Sequence, residues 1–578
     1  MSAVAVRDGR SMISERTEPR RSGTVLLTTL VVCVLAALAG RRMPAPLGAE
    51  AAPELFSAAR AQAIVAEIAR APHPVGSAEH ERVRLALLER LRALGFEPEE
   101  QHGHASGVEL TNLVVRIPGS EPSGALLCLA HYDSTPKGPG AGDDSVGVAS
   151  WLEAFRALRA RAWRPKNDVL FVLTDGEELG LLGAYVFGAE NPLAESVACV
   201  VNLEAIGNGG PAVLFELGPD DGPRVRAFAD AIAAPTGTSL GDAVYRRMPN
   251  NTDLTVFSHR GIGGFNLAIL CGSPAYHAPH DTPANLDPQS LQHMGECALA
   301  LAEHLGDADL RALKGPDVTF FDLLGLGLVR YSQRWDAFVA ALALVLALLA
   351  CGRAHAKGRE VLELVLRHAL EVALVAGGTA LVFWTCDALA ALLTPALGWV
   401  PGNTTSGALL FAGAVALAAG CELVLGATRL GARPARAGAI ALVWSAGALA
   451  SLRWLPGAGF VFAWPSILAS IGALATIERP PSRAREAGLA LSFAAALVLG
   501  LPILYFLLQL FLRAPVPVVS LTSAVLSTAA GLFALPFARI RSDVPWARRA
   551  LLGAGAAALL ASVLVARALA WRQGALLP

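Results

Sequence analysis

The second half of the chain is built from apolar segments separated by short loops. Crossing the hydrocarbon core of a bilayer takes roughly 17–25 residues of helix. Eight segments near that length follow residue 335, at 336–352, 362–384, 407–428, 437–453, 459–477, 487–511, 517–537 and 550–566. We therefore predict an all-α, multi-pass membrane domain of about eight helices over residues 336–568, with a short tail at 569–578.

Basic residues fall in every second loop of this region. Three or four Arg or Lys residues follow the first, third, fifth and seventh segments, whereas the other loops carry at most one. Cytoplasmic loops hold this excess of positive charge. The chain also starts with a basic tail, residues 1–23, before the apolar segment 24–40, which we interpret as a transmembrane anchor or a cleaved signal. Both patterns predict a cytoplasmic N-terminus and an extracytoplasmic domain, periplasmic or lumenal, at residues 50–315.

Residues 50–315 have the pattern of apolar and polar residues that is typical of a soluble α/β domain. Apolar, strand-like runs lie at 112–117, 125–130, 168–173, 197–203 and 212–216. Segments with helical spacing lie at 54–70, 78–95, 146–160, 223–234 and 288–305. The alternation predicts an α/β/α sandwich around a mostly parallel sheet. Because ligands of such folds bind beyond the carboxyl ends of strands, we expect chemistry just after Ala130, Leu173 and Val201.

Acidic and imidazole side chains are concentrated after two of these predicted strand ends. The stretch from Ala130 to Gly183 contains His131, Asp133, Asp143, Asp144, Asp175, Glu177 and Glu178. The later motifs VNLEAIG and AYHAPHDTPANLD add Glu204 and His277. Imidazoles and carboxylates are zinc ligands, and a catalytic site keeps one position open for water. Two zinc ions ~3.5–4 Å apart need a shared ligand, which a carboxylate with two oxygens provides.

The local sequence suggests a different role for each of these residues. His131 can bind one ion while Asp133 orients its ring. Asp143 lies in a Gly-rich turn, where backbone freedom lets a short carboxylate reach both ions. Of the adjacent Glu177 and Glu178, one can bind metal while the other takes a proton from water. We interpret Asp175 as a turn residue without a role in the site.

The motifs HYDS, GAGDDSVG, DGEELGLLGA, VNLEAIG and YHAPHDT, in this order, resemble those of the co-catalytic di-zinc aminopeptidase family. That family includes bacterial leucyl aminopeptidases, glutamate carboxypeptidase II and the glutaminyl cyclases. The resemblance covers about residues 55–305 and implies a zinc-exopeptidase fold. The layout of one span, an exported peptidase domain and eight further spans is similar to that of the endoplasmic reticulum metallopeptidase and vacuolar membrane protease group.

The resemblance also implies a role for each matching residue. It assigns His131, Asp143 and Glu204 to one zinc ion, and Asp143, Glu178 and His277 to the other. Two zinc ions per chain follow, with Asp143 as the bridge and Glu177 as the general base. The peptide between Asp143 and Asp144 is often cis in this family, and the segment NNTDLTVFSHRGI implies that Asp253 lies near the site. One departure stands out, because the position of Glu204 is more often Asp.

These observations predict a membrane-bound zinc metallopeptidase, an aminopeptidase acting on peptides outside the cytoplasm. Its partners would be the peptide substrate and the lipid bilayer, and the sequence leaves its oligomeric state open. A glutaminyl-cyclase-like transferase with one zinc ion is a second hypothesis. A receptor or transporter on an inactive peptidase fold is a third. The net charge of −1 and the lack of a basic stripe with interleaved aromatics argue against a nucleic-acid partner.

Overall fold

The protein is represented by a computed structural model that describes residues 43–271, 275–323, 327–358, 360–370 and 433–478. Chain contacts divide it into two compact units, one of which consists of Gly40–Asp336 together with Trp454–Ala458. The other holds the apolar second half of the chain. The predicted tails at 1–23 and 569–578, the first apolar segment and most of the predicted membrane segments lie outside the described residues.

The first unit is organised around a seven-stranded sheet with the order β1-β2-β4-β3-β5-β7-β6. Its strands are β1 Glu99–Ala105, β2 Val108–Ile117, β3 Ala125–His131, β4 Asp168–Thr174, β5 Val197–Ala205, β6 Gly209–Glu216 and β7 Gly264–Cys271. The four central strands β4, β3, β5 and β7 are parallel, while β1, β2 and β6 are antiparallel to their neighbours. The fold is therefore mixed α/β with a parallel centre, as predicted.

Helices cover both faces of this sheet. They are α1 Ala58–Ile68, α2 Ala78–Ala93, α3 Ser145–Ala160, α4 Leu182–Glu190, α5 Gly222–Ala231, α6 Ser239–Tyr245, α7 Asp253–Ser258 and α8 Pro288–Asp307. Along β3 the side chains alternate between two buried clusters, because successive residues of a strand point to opposite faces. Leu126 and Cys128 join the cluster that includes α1, α2, α3 and α8, while Leu127 and Leu129 join that of α4 and α7. The result is the three-layer arrangement expected from the alternation.

Two strands of the sheet are absent from the sequence prediction. β1, with the sequence EEQHGHA, is a half-exposed edge strand without apolar alternation, and it forms through pairing with β2. β7 is fully buried, but Asn266 interrupts its apolar run. The short helices α6 and α7 were also missed, because each spans only two turns or fewer and shows no apolar period. After α8 the unit ends in a small hairpin of β8 Val318–Asp322 and β9 Leu328–Ser332.

The second unit contains three named helices among the described residues, α9 Asp336–Ala356, α10 Arg433–Trp454 and α11 Phe460–Thr476. Residues 361–370 are helical as well. By length and hydropathy, Gln333–Ala356 and Ala437–Trp454 could each cross a membrane, and Phe460–Thr476 is a shorter apolar helix. These three helices fall on the predicted segments 336–352, 437–453 and 459–477.

Candidate metal centre

The polar residues singled out in the sequence meet at one edge of the sheet. His131 ends β3 and is the register partner of Thr174, the last residue of β4. Glu177 and Glu178 follow β4 in the next loop, and Glu204 lies at the end of the adjacent strand β5. All of these positions are at the carboxyl ends of parallel strands, where α/β folds place their ligands.

Asp143 stands at the centre of the site and faces an imidazole on each side. Its Oδ1 lies 3.2 Å from His131 Nε2, and its Oδ2 lies 3.0 Å from His277 Nε2. On one side, Glu204 Oε2 is 3.9 Å from His131 Nε2. On the other, Glu178 Oε2 is 2.9 Å from His277 Nε2. One carboxylate thus joins two groups of donors, as a bridging ligand must.

Donor atoms of these groups are close enough to share a cation. His131, Asp144 and Glu204 offer atoms within 4.8 Å of one another, and so do Asp143, Glu178 and His277. Zinc bonds of ~2.0–2.2 Å in tetrahedral geometry place donors about 3.3–3.6 Å apart. The separations of 2.9–3.9 Å between the two imidazoles and the carboxylates of Asp143, Glu178 and Glu204 bracket that value. The donor spacing therefore fits zinc on both sides of Asp143, and Asp144 is a further carboxylate on the side of His131 and Glu204.

The second group also has the orphaned polar atoms that a metal would satisfy. His277 Nε2 is buried and has no partner with hydrogen-bond geometry, although two carboxylate oxygens lie within 3.0 Å. Glu178 Oε1 is likewise buried without a partner. Buried carboxylates that converge on one point repel one another unless a cation lies among them. The residues present therefore fit a metal ion.

Asp133 contacts the glutamate loop as well as His131. Its Oδ1 accepts a hydrogen bond from the Glu177 N–H at 3.1 Å, and its Oδ2 accepts one from the Glu178 N–H at 3.2 Å. His131 Nδ1 lies 3.1 Å from the main-chain oxygen of Asp133 and 3.4 Å from its carboxylate. The sequence suggested only the orientation of the ring, whereas the carboxylate also fixes the backbone of Glu177 and Glu178.

Asp281 holds the loop that carries Asp143, and sequence reasoning did not identify it. Its carboxylate accepts hydrogen bonds from Gly142 N–H at 2.7 Å and Asp143 N–H at 3.2 Å. A Cβ at Gly142 would lie 2.6 Å from the oxygen of Gly207 and 3.0 Å from Asp281 Oδ1, so only glycine fits this approach. The peptide between Asp143 and Asp144 is cis, as the resemblance implied. The motif YHAPHDT contained Asp281, but nothing local distinguished it from a turn residue.

Burial and charge shift the pKa values of the site. Burial raises the pKa of Asp143, but the imidazoles of His131 and His277 outweigh that effect and lower it to about 2. Burial raises the pKa of Glu204 to about 8, since His131 opposes it only in part. Burial likewise raises the pKa of the Glu177 carboxyl well above its usual range. Glu177 is therefore a carboxyl whose affinity for a proton is enhanced.

The remaining histidines and acids fall outside the two donor groups. Asp175 is more than the turn residue predicted, because its buried carboxylate accepts from His80 Nε2 and from the Thr111 N–H, both at 2.8 Å. This pair anchors α2 and β2 to the end of β4. Asp253 begins α7 and its carboxylate contacts the hydroxyl of Thr174, next to the site as the resemblance implied.

His280 is exposed, and His293 is buried and accepts from the Ala212 N–H at 3.0 Å. Neither belongs to a donor group.

Comparison with known proteins identifies the domain that carries this site. Residues 112–302 match the family model described as Peptidase family M28. Endoplasmic reticulum metallopeptidase 1 of Homo sapiens is 30% identical over 238 residues, which are 40% of this chain and 26% of that protein. The vacuolar membrane protease of Candida albicans (strain WO-1) is 35% identical over 237 residues, 39% of this chain and 28% of that protein.

The aligned region thus spans less than a third of either relative. Among solved structures, an aminopeptidase from Aneurinibacillus sp. strain AM-1 covers 43% of this chain and 94% of its own, at 12% identity and a TM-score of 0.38, which is too low to inform function. The family match and the named metallopeptidases confirm the expected resemblance to zinc metallopeptidases, and residues 112–302 carry it.

Proposed function

We propose that the protein is a membrane-bound zinc aminopeptidase that holds two zinc ions and acts on peptides outside the cytoplasm. The observation that carries the proposal is the position of Asp143 between two imidazoles, with one oxygen toward each. One ion would be held by His131, Asp143 and Glu204. The other would be held by Asp143, Glu178 and His277.

Zinc in such a site acts as a Lewis acid toward a carbonyl oxygen and makes water a stronger acid. Glu177 is the general base of the proposal. Its carboxyl lies in the loop that Asp133 fixes, and its raised pKa suits a group that takes a proton from the attacking water and returns it to the leaving amine. Asp133 serves as a positioning residue, since its carboxylate contacts the Glu177 backbone.

The removal of N-terminal residues, rather than cleavage within a chain, rests on the resemblance of the motif set. A digest of a peptide library by the purified full-length protein in detergent tests it, with product ends read by mass spectrometry. We expect loss of single N-terminal residues, abolished by a zinc chelator and restored by zinc. Internal cleavage sites would refute the aminopeptidase assignment and leave the peptidase assignment standing.

Metal analysis of the same preparation separates this function from its alternatives. Two zinc ions per chain are expected. One ion together with cyclisation of N-terminal glutamine would instead establish a glutaminyl-cyclase-like transferase. A folded protein that binds no zinc and cleaves nothing would favour a receptor or transporter.

The extracytoplasmic placement of residues 50–315 rests on the alternation of basic loops. It is supported by the loop Trp454–Ala458, which belongs to the same compact unit as Gly40–Asp336. Within that unit Ser239 Oγ donates a hydrogen bond to the Gly457 carbonyl at 2.6 Å. The topology requires this loop to lie on the outer side and the loop at Lys357 on the inner side.

Cysteines introduced at two exposed positions, Pro456→Cys and Lys357→Cys, form a matched pair for this topology. We expect a membrane-impermeant maleimide added to intact cells to label the first position, and to label the second only after permeabilisation. The opposite pattern would invert the topology.

A further inference from the structure

A row of buried polar side chains crosses three strands beside Glu204. Asn202 of β5 and Asn266 of β7 are register partners, and so are Asn266 and Glu216 of β6. Asn202 Nδ2 donates to Asn266 Oδ1 at 3.1 Å, and Asn266 Nδ2 donates to Glu216 Oε2 at 2.8 Å. All three side chains are buried. They therefore form a continuous hydrogen-bonded row inside the sheet.

The row ends on the carboxylate proposed to bind zinc. Asn202 and Glu204 are two residues apart on one strand and share a face. Asn202 Nδ2 donates to Glu204 Oε1 at 3.2 Å, while Glu204 Oε2 is the oxygen that faces His131. The amide thus occupies one oxygen and leaves the other for the metal. This restraint matters because Glu204 has one more rotatable bond than the Asp more usual at its position.

The direction of the amides in the row depends on Glu216. A carboxylate can only accept, so it orients the Asn266 Nδ2 toward itself and leaves Asn266 Oδ1 for Asn202. The same Asn266 Nδ2 also donates to Thr252 Oγ1 at 2.6 Å, at the start of α7. A buried amide that is left without a hydrogen-bond partner destabilises the fold. Aliphatic side chains would fill these strand positions without that liability, so the row is not explained by packing.

We propose that Asn202, Asn266 and Glu216 are positioning residues that hold Glu204 so that a single oxygen binds its zinc ion. The inference rests on the ligand roles of the proposed function. It predicts that breaking the row lowers the affinity for the zinc ion at His131, Asp143 and Glu204. The ion at Asp143, Glu178 and His277 does not involve Glu204 and should be unaffected.

The test is a zinc titration of the full-length protein against a competing chromophoric chelator. The variant is Asn266→Leu, which removes the central link and keeps the bulk. The matched control is Asn167→Leu, because Asn167 is equally buried but bonds Ser123 and the carbonyl of Leu305 at the far end of the sheet. For Asn266→Leu we expect one of the two binding steps to weaken roughly 10–100-fold, as for other residues that support metal ligands. The control should leave both steps unchanged.

Equal affinities in Asn266→Leu and wild type, or equal losses in the variant and its control, would overturn the inference. If Asn266→Leu does not fold, Asn202→Leu tests the last link of the same row, because it removes the amide that donates to Glu204 Oε1. The same binding step should weaken several-fold. An unchanged step in Asn202→Leu would then overturn the inference. A wild-type protein that binds no zinc would instead refute the proposed function.

Discussion

Replacing Asp133 by Asn tests how the glutamate loop is held. In the native site both carboxylate oxygens accept main-chain N–H groups, from Glu177 at 3.1 Å and from Glu178 at 3.2 Å. Asn keeps the shape and one acceptor, but it presents an NH₂ group to the other N–H. A hydrogen bond to a charged group contributes ~1.5–3 kcal/mol, so its loss in the transition state should lower kcat roughly 10–150-fold.

The same substitution should spare the imidazole of His131. Its Nδ1 lies 3.1 Å from the main-chain oxygen of Asp133, which Asp133→Asn retains. We therefore expect the zinc ion at His131 to stay bound. The ion at Glu178 should bind more weakly, since the Glu178 N–H loses its carboxylate acceptor. The measurements are kcat and KM on a peptide substrate and zinc per chain after gel filtration.

Asp168→Asn is a matched control at the other end of β4. Its carboxylate also uses both oxygens, accepting from the Gly119 N–H and from Arg116, each at 2.8 Å. It should lose stability while keeping the wild-type kcat. A wild-type kcat in Asp133→Asn would refute the reasoning. Loss of the ion at His131 alone would show that Asp133 serves chiefly to orient the imidazole.

Three further predictions follow from individual residues. Glu177→Gln should lower kcat by about 10²–10⁴ while metal analysis finds the wild-type zinc content, and a wild-type rate would exclude Glu177 as the base. His277→Ala should bind one zinc ion fewer in the same measurement, because its group keeps only two carboxylates; full zinc content would contradict the ligand assignment. Burial raises the pKa of Asp221 from 3.8 to about 7, so its contribution to stability is lost as the pH rises through that interval. Asp221→Asn keeps the acceptor for the Val318 N–H, and it should unfold at a higher temperature than wild type at pH 8 but not at pH 4; parallel curves would refute this.

The sequence predicts the convergence of the candidate ligands where polar residues follow a buried strand. The ends of β3, β4 and β5 are readable as apolar runs, and His131, Glu178 and Glu204 lie at or just beyond them. Their convergence follows from parallel pairing, which brings carboxyl ends to one edge. Asp143 could be predicted as a candidate ligand because its Gly-rich turn and its neighbour Asp144 form a distinctive motif.

The contacts that support the candidate ligands could not be predicted from the sequence, because each is a single hydrogen bond between residues far apart along the chain. Asp281 is 138 residues from the Asp143 N–H that it accepts from. Asn266 was hidden for a different reason, since a polar residue in an apolar run reads as an interruption. Only the register of β5, β7 and β6 shows that it has partners on both sides.

The position of these supporting residues explains how so much negative charge stays buried at the strand ends. Asp133 and Asp281 accept main-chain N–H groups from the two loops that carry Glu178 and Asp143. Each loop is thereby fixed by a carboxylate whose charge is satisfied by backbone donors. Charge that faces the centre, from Asp143, Glu178 and Glu204, would be left for the proposed metal. Since such donors repel one another without a cation, we expect zinc affinity and the stability of this edge of the sheet to be coupled, so that metal-binding energy would contribute to folding.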